Sequence, residues 1–158
     1  MSGVIKQEND WSCVACCVAS ITDTTLNDFY DYCGHDGSDK VEGPLYTKHG
    51  QEIPAHPDGR RGFSIMEVIH YLVDRGFLPF FPAEYPIAMD YDALVFVKSK
   101  KHIGGSHALI WRAEKRNHPD RGLWCPINGK VNLVEMVSHG RLLYWMPVNK
   151  MEKLEGRI

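Results

Sequence analysis

Three of the five cysteines in this chain fall within a five-residue stretch, at Cys13, Cys16 and Cys17. Thiol hydrolysis needs a thiolate, a base to make it, a group to orient the base, and donors for the oxyanion. Cys13 meets the first requirement by position. It opens the run 11–22, whose small and apolar residues predict a buried helix, with Asp10 or Ser12 available as cap. Unpaired N–H groups and the helix dipole favour negative charge in a first turn, so the Cys13 thiol is expected below its ordinary pKa. Cys16 and Cys17 sit about one turn deeper and are expected to be core thiols. Gln7 stands six residues before Cys13. A side-chain amide there can fold back and aim its NH₂ at an oxyanion, with the Cys13 backbone N–H as second donor. Among eight histidines, His107 is the candidate base, because it opens the apolar run 107–111 after a glycine-rich approach. Trp11 beside the nucleophile and Ser106 beside the base are candidate substrate contacts.

The spacing Gln7-x5-Cys13, with the cysteine opening a helix of small residues, resembles the start of papain-like cysteine peptidases. The run Cys13-Val14-Ala15-Cys16-Cys17-Val18-Ala19 is similar to the branch that includes the peptidase domains cutting leaders from bacteriocin precursors. The motif of that branch reads Cys-Gly-x-Ala-Cys. Val14 stands here for its Gly and Cys16 for its Ala. Gly105-Ser106-His107-Ala108-Leu109-Ile110-Trp111 resembles the strand that presents the base. The family's third part is a strand ending in Asp-Pro before a turn. Trp124-Cys125-Pro126-Ile127-Asn128-Gly129 matches it with Cys125 in place of the Asp. The resemblance runs from Gln7 to about Val148 and includes the helix-like segment 62–72. It implies a papain-like α+β fold and catalysis by Cys13 and His107 with Gln7 at the oxyanion. It also implies a peptide or protein substrate, no cofactor and no metal, in a stand-alone bacterial or phage protein. A thiol is a poor acceptor for the second ring nitrogen. Asn128 is therefore the expected third member, as in Cys-His-Asn triads, and Cys125 a packing residue.

Other elements must hold these residues. Residues 25–32 predict a second helix with Leu26, Phe29 and Tyr30 on one face. Residues 34–62 lack periodicity and read as a long loop. A third helix starts after Ser64, with Glu67 completing a capping box. Its expected apolar face is Ile65, Val68, Ile69, Leu72 and Val73, and Gly76 ends it. Strands are expected over 93–98, 106–113, 122–125 and 142–148, and a short helix over 131–138. The tail 151–158 is expected to be exposed. Helices first and strands second predict an α+β chain whose strands are sequence neighbours joined by tight turns.

A length of 158 residues predicts one domain, and the formal charge of −2 argues against a partner that is nucleic acid or membrane surface. Arg60-Arg61 and the lysines at 98, 100 and 101 read as solvated turns. The N-terminus lacks the apolar core of a signal peptide and no run reaches membrane-spanning length, so a reducing cytoplasm is expected. Two other readings compete. Cys13, Cys16, Cys33 and His35 resemble a zinc ligand set in composition. A papain-like fold without its Asp could also serve only as a binding module.

Overall fold

The computed structural model describes residues 4–7, 9, 11–41, 45–46, 49–53, 60–99 and 106–151. Among the described residues, four helices, α1 (Cys13–Thr22), α2 (Leu26–Cys33), α3 (Ile65–Asp74) and α4 (Leu133–Ser138), accompany eight strands. The strands are β1 (Leu45–Tyr46), β2 (Glu52–Ile53), β3 (Phe77–Pro79), β4 (Ala93–Lys98), β5 (Ser106–Arg112), β6 (Gly122–Cys125), β7 (Gly129–Val131) and β8 (Leu142–Lys150). The class is α+β, with a six-stranded antiparallel sheet in the order β3-β8-β4-β5-β6-β7.

Helix α1 is buried on nearly every side, as its continuous apolar composition requires. Its buried hydroxyls turn back on their own helix, Ser20 Oγ donating to the Cys16 carbonyl at 2.6 Å and Thr22 Oγ1 to the Val18 carbonyl at 2.9 Å. Ser12 occupies the N-cap position, but its side chain makes no capping hydrogen bond. Both α2 and α3 carry complete capping boxes, Thr25 with Asp28 and Ser64 with Glu67. The buried face of α3 is Val68, Tyr71 and Leu72, rotated from the expected one, and Ile65 and Val73 are exposed. Tyr71 explains the rotation. It is fully buried, its ring packs edge-on against Phe29, and its hydroxyl shares a 2.6 Å hydrogen bond with Thr24 Oγ1.

Strands β4 to β6 form the expected meander, β7 adds a strand at Gly129–Val131 where a turn and a helix start were expected, and β8 does not follow β7 in space. It lies between β3 and β4. The reason is burial: Trp145, Met146, Pro147 and Val148 are all buried, which an edge position does not allow, and the three-residue strands β3 and β7 take the edges instead. Both faces of the sheet are covered. Leu94, Ala108, Ile110, Met146 and Val148 pack with α1, α2 and α3. Ala93, Val95, Val97, Leu109, Trp111, Leu123, Cys125 and Trp145 pack on the other side with Met136 of α4. The described parts of the long loop hold more structure than expected. A short β1–β2 hairpin and a bridge between Lys40 and Arg60 interrupt it. His35 fastens it to α3 through a 2.6 Å contact with Glu67. Gly37 and Gly62 lie so close that a Cβ on Gly37 would stand 3.1 Å from the Gly62 Cα. The tail from 152 onward lies outside the described residues.

Candidate active site

The start of α1 packs on the start of β5, and this junction holds the predicted nucleophile. Cys13 is the first residue of its helix and 8% exposed. Its sulfur faces backbone N–H groups of Ala108, Val14 and Cys13 itself, which favour the thiolate. Burial outweighs them, and the nearby Cys125 sulfur adds to the rise, so the Cys13 thiol lies above its ordinary pKa. The expected depression is therefore not met in this closed geometry: helix position lowers a thiol pKa only where solvent or a fixed cation supports the charge. Cys17 is fully buried one turn deeper, and desolvation followed by its sulfur neighbours pushes it well above the ordinary value.

His107 is the second residue of β5 and half-buried. Strand alternation places it on the face of Leu109 and Trp111, the face that Cys125 shares at the end of β6. Its Nε2 lies 3.2 Å from Cys125 Sγ. Cys125 is 5% exposed and held in place by its ladder partner Gly129 and by Pro126. Desolvation, and then the positive charge of Arg141, holds the His107 imidazole below the ordinary histidine value. Thiol and imidazole are thus both favoured in their neutral forms.

Gln7 is drawn to the same place. Its backbone N–H donates to the Pro126 carbonyl at 2.9 Å, beside Cys125. The side chain is 6% exposed, and its Nε2 donates to the Asn9 carbonyl. One of the two amide hydrogens is used in this way. The Oε1 atom is buried without a partner among the described residues. Asn128, expected to orient the imidazole, is exposed in the β6–β7 turn and makes no contact with His107 among the described residues. A three-residue hairpin with Gly129 at φ 78° turns Asn128 outward, and the strand-end Cys125 meets the ring. The sequence signal for Cys125 was available in its position before Pro126. Its chemistry argued against it, since a thiol accepts hydrogen bonds weakly.

Trp11 is half-buried next to the helix start, with the Arg60 guanidinium 5.4 Å over its ring. Ser106 is exposed at the start of β5, opposite Lys98. Gly105 and His102 lie outside the described residues. The cysteines and histidine of the zinc-like set do not converge. Cys16 is fully buried in α1, and burial, followed by the Glu67 charge, pushes Cys33 up to about 11. His35 has Glu67 on Nε2 and the Gly37 N–H on Nδ1. No group of three or more His, Cys, Asp or Glu among the described residues is arranged to hold a metal ion. None of the five cysteines is in a disulfide. At the far end of β5 lies a residue the motif reading did not single out. Arg112, 3% exposed, pairs with Asp92 at 3.1 Å and donates to the Ser20 carbonyl of α1 at 3.0 Å. No helix of the described residues is long and apolar enough to cross a membrane. No protein-family model and no curated protein matches the chain.

Proposed function

We propose that this chain is a papain-like cysteine hydrolase acting on a peptide, isopeptide or related amide through an acyl-enzyme on Cys13. The observation that carries the reading is that Cys125 is near both partners: its Sγ lies 3.2 Å from His107 Nε2 and its effect is felt at the buried Cys13 thiol, while the Gln7 N–H meets the neighbouring Pro126 carbonyl at 2.9 Å. With Nε2 engaged, Nδ1 is the ring atom left to accept the Cys13 proton. Because thiol and imidazole are neutral at rest, the proton moves as sulfur attacks the carbonyl carbon. The oxyanion receives the Cys13 N–H and the second Gln7 amide hydrogen. The imidazolium then protonates the leaving amine as the C–N bond breaks. Water, deprotonated by His107, attacks the thioester and releases acid and free Cys13 thiol.

This reading assigns Cys125 a part that was expected of Asn128. Cys125 orients the imidazole by accepting from Nε2–H. A carboxylate accepts only, and so enforces that tautomer. A thiol both donates and accepts, and so enforces it less. The same observation favours a second reading, a binding module on the same fold in which the hydrolytic site has decayed. Labelling with a chloromethyl-ketone or vinyl-sulfone peptide, mapped residue by residue, tests the first reading. One fast adduct on Cys13 is expected. Slow, equal labelling of Cys13 and Cys33 would leave only the binding module.

A further inference from the structure

A side-chain amide has two ends of opposite sense. The NH₂ end stabilises an oxyanion and the carbonyl end repels it. Which end Gln7 offers is decided by what else its amide touches. The side chain is buried, and the Gln7 backbone N–H is fixed on the Pro126 carbonyl at 2.9 Å. Among the described residues the amide itself has one hydrogen-bond partner, the Asn9 carbonyl, which accepts from Nε2. Oε1 has none. A carbonyl oxygen accepts only, so an amide flipped end for end would set Oε1 against the Asn9 oxygen. The Asn9 carbonyl is thus the contact that holds Nε2 where it is.

Asn9 is half-buried, and its own side chain fixes the backbone around that carbonyl. Its Oδ1 accepts from the Trp11 N–H at 3.2 Å, the two-residue reach of an Asx turn. Ser12 leaves this task to Asn9, since it occupies the N-cap position of α1 without a side-chain capping bond. Asn9 therefore touches the Gln7 amide with its main chain and the approach to Cys13 with its side chain. A preference for turns accounts for the Oδ1 contact alone. It does not account for a buried glutamine amide whose described bond goes to the same residue.

Building on the hydrolase reading, we propose that Asn9 is a positioning residue: its Asx turn aims its carbonyl at Gln7 and so keeps the NH₂ end of that amide toward the oxyanion. The Nε2 hydrogen that Asn9 does not use meets the oxyanion as it forms. Without the turn, the carbonyl swings free and the amide presents both ends, so the site loses its preorganisation but keeps its donor.

Two reagents separate the oxyanion from the thiol. p-Nitrophenyl acetate acylates Cys13 through a tetrahedral oxyanion: the S–C bond forms, p-nitrophenolate leaves, and the thiol proton passes to His107. Iodoacetamide alkylates the same sulfur by direct displacement of iodide, with no oxyanion. Both rates are measured at Cys13 by peptide mapping, and their ratio cancels changes in thiol reactivity common to the two. In Asn9→Ala the ratio of acylation to alkylation should fall about three- to tenfold, the worth of one net hydrogen bond. Gln7→Ala should lower it further. Asn9→Asp keeps the acceptor and should restore the ratio to within about twofold, with Asn9→Ser, a weaker turn former, in between. Added to Gln7→Ala, Asn9→Ala should lower the ratio no further. An unchanged ratio in Asn9→Ala, or an equal fall with Gln7 absent, overturns the proposal and leaves the hydrolase standing. Should Asn9→Ala unfold, seen as all five cysteines alkylated alike, Asn9→Ser carries the same comparison. An unchanged ratio in Gln7→Ala removes Gln7 from the oxyanion, and Asn9 with it. Cys13 labelled no faster than Cys33 by either reagent overturns the hydrolase reading itself.

Discussion

Helix α1 meets strand β5 at two polar junctions, one at each end. At the far end, Arg112 bridges the Ser20 carbonyl and the Asp92 carboxylate, and Asp92 also accepts the Ala113 N–H at 2.8 Å. Charge is matched there, and a cation sits on a carbonyl of the last helical turn, where the dipole favours it. At the near end, His107 faces the Cys125 thiol and Arg141, and the described contacts supply no carboxylate. The far junction matches charge with charge, although Arg112 Nε is buried without a partner among the described residues. Under the proposed reading, the near one leaves a proton acceptor and a nucleophile without a counter-charge. The far junction fixes the helix on the strand, and so fixes where Cys13 stands relative to Ala108 at the other end.

The largest effect expected at the near junction comes from the nucleophile. Cys13→Ala should cut turnover of any true substrate by about 10⁴-fold or more, to the level that binding and oxyanion donors alone sustain. A steady-state assay with active-site titration checks this, and retained turnover would move the nucleophile elsewhere. At the far junction, Asp92→Ala leaves Arg112 buried and uncompensated and should cost about 3–5 kcal/mol of stability by urea unfolding. A loss under about 1 kcal/mol would show that Arg112 finds water, and that the two junctions differ less than their contacts suggest. Next in size comes Gln7→Ala. It should lower kcat by about 10²-fold. Refolding around the lost amide would show as a changed urea midpoint, and an unchanged kcat would remove Gln7 from the oxyanion site.

The smallest effect is also the most diagnostic of the comparison. Cys125→Asp closes the near junction as Asp92 closes the far one, and should raise kcat/KM about tenfold. The sign of the pH shift follows from the base. Catalysis requires neutral His107, so the acid limb of kcat/KM in the native chain should fall below the ordinary histidine value of 6.5, because desolvation and Arg141 disfavour the imidazolium. A carboxylate at 125 favours the imidazolium, raises its pKa, and should move that limb to higher pH. Activity appearing only in the variant would mark the native chain as a binding module. A limb that does not move would separate Cys125 from His107 in solution.

The helices and the meander were legible because each obeys a local rule. Thr25 with Asp28 and Ser64 with Glu67 close capping boxes within four residues, and β4, β5 and β6 follow continuous apolar runs. The position of β8 was not legible, since strand order is set by which strands bury both faces and not by any neighbour in sequence. The turned face of α3 had the same cause: Tyr71 is drawn inward by Phe29 and Thr24, which lie more than forty residues earlier.

Residue type and order alone determined that Cys13 opens a buried helix, that His107 opens an apolar strand, and that Gln7 precedes both. These are local facts, fixed by side-chain chemistry and helix or strand period. Tertiary structure alone decided that the imidazole meets Cys125 and not Asn128. It also decided that burial lifts the Cys13 thiol against its helix position, and that Arg141 stands two strands away from the base it perturbs. Hairpin geometry, desolvation and cross-sheet charge depend on what the fold packs around a residue, and no spacing in the chain encodes them.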